Sequence, residues 1–325
     1  MSVIILSDMH ILDYIFLLRP TILIPVWIFL LLGYYRAGGG MFRVTPSFTL
    51  GFLIYTMIMG AVYIVNQITD IETDRINNKL FILPKGLVSV RAAYVEIVCL
   101  IGGAFALSFF FSPVYRIFLI LSFALGLLYS VRPAKFKGRP FLDLLSNAFG
   151  YGFLGFSVGW LFVKDLSIDT LVYSIPYILA VGGVFVNTTI PDIKGDRESD
   201  EITTGVYLGE RKALLLALIL VIGSLVSSIV LLDFICLPCA AIASLIFLWV
   251  YRMKSKTRET PLSGEKISPS IEEEKIILLS VRLSAPLLAL AVCIIYPWFL
   301  ALLLLVFLFS RFYYKKRFNL VYPSI

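Results

Sequence analysis

Long apolar runs alternate with short polar gaps along this chain, and most of the runs are long enough to cross a bilayer. A spanning helix needs roughly 20 mostly apolar residues. That rule predicts ten apolar segments, near 12–35, 47–69, 88–111, 113–131, 141–163, 170–190, 211–232, 234–251, 275–296 and 297–313. Pro297 divides the last two, which read either as two spans or as one span and a shorter interfacial piece. One gap, 254–274, "KSKTRETPLSGEKISPSIEEE", is rich in Ser, Pro and charge and reads as a flexible loop. The expected fold class is all-α, a polytopic membrane helical bundle.

Two apolar segments end in a polar pattern that keeps a helical rhythm. In "GAVYIVNQITDIETDRINNK", Gly60 to Lys79, residues Asn66, Asp70 and Asp74 recur every four positions. In "NTTIPDIKGDRESDEITTG", Asn187 to Gly205, Asp192, Asp196 and Asp200 do the same. The ladders close the second and sixth segments, about 120 residues apart. Matching positions of this kind suggest two pseudo-repeated four-helix halves, about 12–131 and 141–251. They sit within one domain spanning 1–325, followed by the loop 252–274 and the C-terminal span or spans 275–313.

Composition agrees with the membrane reading. The chain is 59% hydrophobic and 15% charged, whereas soluble domains are about 45–50% apolar and about 25% charged. The formal charge of +7 would suggest nucleic acid in a soluble protein, but here the basic residues fall in short loops and no nucleic-acid partner is expected. One set of loops carries Arg75, Lys79 and Lys85, then Arg132, Lys135, Lys137 and Arg139, then Lys194, Arg197, Arg211 and Lys212, then the basic residues of 252–275. The opposite loops carry Arg36, Arg43, Arg116 and Lys164. The asymmetry assigns the first set to the cytoplasm. Ten spans would place the basic tail there too. The expected location is the plasma membrane of a prokaryote, with the ladders on the cytoplasmic side. Cys236 and Cys239 form a CxxC without a second pair or a nearby histidine, so the four cysteines read as small apolar residues.

Side chains at i and i+4 share one helix face. Carboxylates stacked this way repel each other, which is costly at a membrane boundary unless a cation lies between them. Oxygen donors without Cys or His point to Mg²⁺, which favours a few carboxylates plus phosphate oxygens and water. Asn66, Asp70, Asp74, Asp192 and Asp196 are the candidate metal ligands, and the anion they would hold is a diphosphate. The plainer alternative for one such ladder is a solvated helix end. Two in equivalent positions favour function.

At these residues the chain resembles the UbiA superfamily of intramembrane prenyltransferases. The family's first motif, NDxxDxxxD followed by DRxNxPxRPxPxG, is matched by Asn66, Asp70, Asp74, Arg75, Asn77, Pro84 and Gly86. Gln67 replaces the first Asp, and Phe81 and Ile82 replace the RP pair. The second motif is matched by Asp192, Asp196, Asp200, Thr203, Thr204 and Gly205. "YSVRPAKFKGRPFLDLLSNAFGYG" looks like the family's tyrosine-and-basic loop, and "LLRPTIL" also fits. The resemblance implies nine transmembrane helices around a central cavity and Mg²⁺-dependent transfer of a prenyl chain from a polyprenyl diphosphate to a lipophilic acceptor, an aromatic ring or a glycerol-phosphate ether. No obligatory protein partner is implied; membrane lipids surround the site. Asp70, Asp74, Asp192 and Asp196 would be catalytic through the metal, and Tyr129 would face the allylic carbocation. Arg19, Lys137, Arg139, Lys194 and Arg197 would meet the diphosphate. Two other classes remain open on the residues alone: a cation-coupled secondary transporter using the repeated acidic motifs, and a scaffold with a decayed site, an alternative that Gln67 keeps alive.

Overall fold

The structure, a computed structural model, describes residues 9–38, 45–76, 82–198, 201–256 and 271–321. Every regular element among them is helical. Among the described residues, nine unbroken helices are long and apolar enough to cross a membrane: Pro20–Ala37, Pro46–Thr69, Val90–Ser108, Pro113–Ser130, Ile168–Thr189, Glu210–Val230, Cys236–Met253, Ile276–Ile295 and Pro297–Phe318. The expected all-α membrane fold is what the chain forms.

Local chemistry sets several helix starts. Thr45, Ser89 and Ser112 each accept a hydrogen bond from the backbone N–H three residues on, at 3.0, 3.1 and 3.2 Å. Proline follows Thr45 and Ser112 at the first helical position, where its missing N–H goes unused in any helix. Tyr296 breaks the chain before Pro297, so the last two apolar segments form two separate helices.

Two predicted segments are corrected. The first does not run unbroken from 12 to 35. Helix Met9–Leu17 stops, Arg19 turns into the left-handed region at φ 57° and ψ 65°, and a new helix begins at Pro20. Pro20 is the cause, since a proline disfavours helical geometry in the residue before it. The fifth, 141–163, is helical but interrupted: Leu142–Phe149 passes through a π-turn, Gly150–Gly155, into Phe156–Trp160. The small residues of this stretch permit close helix packing, as their spacing suggests. A Cβ on Gly152 would lie 2.6 Å from the Ile178 Cα, and one on Gly159 would lie 1.8 Å from the Leu30 carbonyl oxygen.

The chain divides into two compact units. The first comprises Met1–Ala134, Val158–Asp165 and Ile295–Ile325, and a core including Phe16, Leu17, Ile64, Ile97 and Tyr313 lies within it. The second comprises Lys135–Ser157 and Leu166–Ile294, with a core including Val186, Leu214, Val221 and Phe247. Apolar side chains also remain on the outside, Val95 and Val98 among them, as a lipid-facing surface requires. Asn77, Phe81, Asp200 and most of the 254–274 segment lie outside the described residues.

Candidate functional site

The first ladder straddles a helix end. Helix Pro46–Thr69 stops at Asp70, whose φ of −107° and ψ of 6° leave the helical region, and a short helix, Ile71–Ile76, follows. The hydrogen-bond register survives the break: Asp70 N–H donates to the Asn66 carbonyl at 3.1 Å and Asp74 N–H to the Asp70 carbonyl at 2.7 Å. Asn66, Asp70 and Asp74 therefore share one face, as their spacing predicts. Asp74 is buried and Asp70 half-buried. Asn66 Nδ2 donates to Ser130 Oγ at 3.2 Å, which ties the ladder to the end of helix Pro113–Ser130, next to the half-buried Tyr129. Arg75 forms an exposed pair with Glu72 at 2.9 Å.

Gln67 stands where the family motif carries an acid, and it does not behave like one. It is buried, and its Nε2 donates to the Leu17 carbonyl at 2.6 Å and the Tyr63 carbonyl at 3.1 Å. The bond to Leu17 reaches the helix that ends just before Arg19. Arg19 is half-buried, and among the described residues no hydrogen bond or ion pair engages its guanidinium.

The second ladder sits beyond the end of helix Ile168–Thr189, where Asp196 N–H donates to the Asp192 carbonyl at 2.8 Å in helix Ile193–Glu198. Asp192 is exposed and Asp196 half-buried. Thr203 Oγ1 donates to Asp196 Oδ2 at 2.9 Å, and Glu201 N–H donates to the Asp196 carbonyl at 2.9 Å. Burial pushes the Asp196 carboxyl up, the Thr203 hydroxyl draws it back, and the charges of Asp192, Glu201 and Asp143 add to the rise. A divalent cation at this face would relieve that repulsion.

A buried carboxylate underpins this turn. Asp143 accepts the Thr204 N–H at 2.7 Å and the Leu144 N–H at 2.7 Å, and the Thr204 hydroxyl donates to it as well. Phe141 N–H in turn donates to Thr204 Oγ1 at 2.8 Å. Glycine is required at 205, because a Cβ there would lie 2.6 Å from Thr189 Oγ1. Lys135 Nζ meets Glu201 Oε1 at 2.6 Å, so Lys135 of the basic loop engages the second motif. Lys137 lies half-buried in the turn Phe136–Gly138, with Arg139 exposed after it. Lys194 and Arg197 are exposed, and no described residue pairs with them.

Asn66, Asp70 and Asp74 thus share one face, and Asp192 and Asp196 share another. Ser130, Lys135, Asp143 and Glu201 are supporting residues that spacing did not single out. Asp143 carried a usable signal, being an acid just inside an apolar segment, "FLDLLSN". Among the described residues, no three His, Cys, Asp or Glu side chains gather into a cage. A few hard oxygens per face suit Mg²⁺, which keeps water and phosphate oxygens in its shell rather than filling it from the protein.

Apolar helices long enough to span a bilayer, two of them ending in runs of oxygen side chains, define an all-helical membrane protein. Comparison with known families places it within that class: the chain belongs to the UbiA prenyltransferase family, whose model matches residues 26–267. Among curated proteins, it is 30% identical over 194 residues to a lycopene elongase/hydratase of Haloarcula japonica, covering 57% of this chain and 64% of that protein. It is 28% identical over 207 residues to a digeranylgeranylglyceryl phosphate synthase of Methanosphaera stadtmanae, covering 64% of this chain and 73% of the other. A solved UbiA homologue from Archaeoglobus fulgidus, bound to GPP and Mg²⁺, superposes with a TM-score of 0.60 at 20% identity, covering 87% of this chain and 99% of that one. A structure of digeranylgeranylglyceryl phosphate synthase gives 0.67 at 20% identity, covering 88% and 98%. Likeness at that identity establishes the fold.

Proposed function

We propose that this protein transfers a prenyl chain from a prenyl diphosphate to a lipophilic acceptor, with Mg²⁺, at the cytoplasmic face of the membrane. The observation that carries the reading is the pair of ladders: two sets of oxygen side chains, each held in helical register by backbone hydrogen bonds across or just beyond the end of an apolar helix. A prenyl diphosphate has the same division, a long apolar tail and a strongly anionic head. The comparisons support it, since the family is named for prenyl transfer and a homologue holding GPP and Mg²⁺ shares the fold.

Asn66, Asp70, Asp74, Asp192 and Asp196 would hold Mg²⁺, whose charge, when bound, stabilises the departing diphosphate. Thr203 keeps Asp196 oriented through its hydroxyl, the outer-shell support that metal-binding carboxylates require. Arg19, Lys137, Arg139, Lys194 and Arg197 donate to the diphosphate oxygens. Tyr129 offers its ring face to the allylic cation left when the C–O bond breaks. The acceptor's carbon or oxygen then attacks that cation and gives up its proton.

The test is turnover by purified full-length protein in lipid nanodiscs, with radiolabelled geranyl diphosphate, Mg²⁺ and a panel of acceptors including a glycerol-phosphate ether and aromatic ring acids. Diphosphate release and a prenylated product are expected, with Asp70→Asn and Asp192→Asn each losing at least a hundredfold. Retention of activity within twofold in either variant refutes the assignment. Ion flux without product would favour a transporter.

A further inference from the structure

The last two helices, Ile271–Ile295 and Pro297–Phe318, lie beyond the family match, which ends at residue 267. The final helix is nevertheless bonded to the segment that carries Arg19. Asp13, fully buried on helix Met9–Leu17, accepts Arg317 Nη2 at 2.7 Å, Arg317 Nε at 3.2 Å and the Tyr313 hydroxyl at 2.6 Å. Phe16, one turn on, stacks on Tyr313 with ring centroids 3.8 Å apart and planes 4° from parallel.

The other side of the same segment is held by helix Pro46–Thr69. Gln67 Nε2 takes the Leu17 carbonyl, and the Tyr63 hydroxyl donates to the Ile22 carbonyl at 3.2 Å. Carbonyls on both sides of the break at Arg19 are therefore pinned to the helix that carries the first ladder. Arg19 itself sits in a left-handed conformation that a non-glycine residue adopts only when its surroundings impose it. Its main chain is fixed from two directions, while its guanidinium has no partner among the described residues. Gln67 lies three residues before Asp70, so the break is anchored within one turn of the ladder.

We infer that Gln67 and the Asp13–Arg317–Tyr313 cluster are positioning residues that hold Arg19 for the diphosphate head, making the last helix part of the donor-binding apparatus. The inference rests on the prenyl-diphosphate reading above. It also assigns Gln67 a role distinct from the acid it replaces in the family motif: Gln67 orients a cation and ligates no metal. A buried ion pair contributes little net stability against an apolar substitute. A fixed geometry for Arg19 gives this one a reason to be there.

The test uses full-length protein in nanodiscs and measures the Kd of geranyl diphosphate at saturating Mg²⁺, the Mg²⁺ concentration giving half-maximal binding, and thermal stability. Arg19→Gln is expected to weaken binding about tenfold, the size of one charge-assisted hydrogen bond. Asp13→Asn and Gln67→Leu should each weaken it about three- to tenfold without moving the Mg²⁺ midpoint. Neither should add to the loss in an Arg19→Gln background, because the two act through the same group. Arg317→Lys should bind more tightly than Arg317→Gln. Tyr313→Phe, a milder change, serves if Asp13→Asn does not fold.

Wild-type Kd in both Asp13→Asn and Gln67→Leu, losses that multiply with Arg19→Gln, or a Gln67→Leu protein whose Mg²⁺ midpoint shifts would each overturn the inference. Failure of the underlying reading looks different: Asp70→Asn would bind geranyl diphosphate as wild type does. If instead Asp70→Asn fails to bind while Arg19→Gln binds normally, only the role of Arg19 falls, and the clamp with it.

Discussion

Asp143 offers the sharpest test of how the second ladder is held. Its carboxylate receives three donors, two of them from Thr204, which lies 61 residues away in sequence. In Asp143→Asn, the amide oxygen can keep the Leu144 N–H and the Thr204 hydroxyl, but the new NH₂ must face the Thr204 N–H. One hydrogen bond to a charged acceptor is lost and two buried donors meet, for a cost of about 2–4 kcal/mol. Asp143→Ala removes all three bonds and costs about 3–5 kcal/mol, the range found when a buried charge network loses a member. The functional effect passes from Thr204 to its neighbour Thr203, whose hydroxyl orients Asp196. Loss of such outer-shell support typically weakens metal affinity by about 10–100-fold. Thermal unfolding in nanodiscs and a Mg²⁺ titration of geranyl diphosphate binding measure the two effects separately. Asp143→Ala should lower stability and raise the Mg²⁺ midpoint by about tenfold or more, with little further effect in an Asp196→Asn background. A stable Asp143→Ala protein with a wild-type Mg²⁺ midpoint would refute the chain of contacts.

Three further outcomes are expected. Gly159→Ala forces a methyl against the Leu30 carbonyl and should destabilise the protein by about 1–3 kcal/mol, visible as a lower unfolding temperature; an unchanged temperature would show that the two helices can separate freely. The Asp196 carboxyl is raised in the folded protein relative to the unfolded chain, so proton uptake favours folding. Without Mg²⁺, this residue's contribution to stability should rise as pH falls from neutral toward its raised value, and both Asp196→Asn and saturating Mg²⁺ should flatten that part of the pH profile. Lys135→Met removes a partly exposed pair with Glu201 and should cost under about 1 kcal/mol, less at high salt; a larger, salt-independent loss would mean that Lys135 is tied to something beyond Glu201.

The membrane fold and the two ladders were readable because both are periodic and local. Apolar runs report their own length, and a four-residue spacing reports a shared helix face whatever the tertiary context. The break at Arg19 was half readable, since Pro20 disfavours a helix before it, but the left-handed turn also depends on Gln67 and Tyr63 from another helix. The π-turn at Gly150–Gly155 left no mark on hydropathy, which registers composition and not hydrogen-bond pattern. Asp143 and Thr204, Lys135 and Glu201, and Asp13 and Arg317 are pairings between distant positions. Each partner looked like an ordinary loop or helix-end residue until the chain brought the two together.

The bond between Asp13 and Arg317 also carries a counting rule. Two residues in contact cannot lie on opposite sides of a bilayer, so the chain between them must cross it an even number of times. The nine unbroken helices among the described residues leave the tally odd. The interrupted stretch from Leu142 to Trp160, about 28 Å at 1.5 Å per residue, is long enough to supply the remaining passage and bring Asp13 and Arg317 to one side. Single cysteines placed at Ile11 and Asn319 in a cysteine-free background should then react with an impermeant thiol reagent from the same face of the membrane.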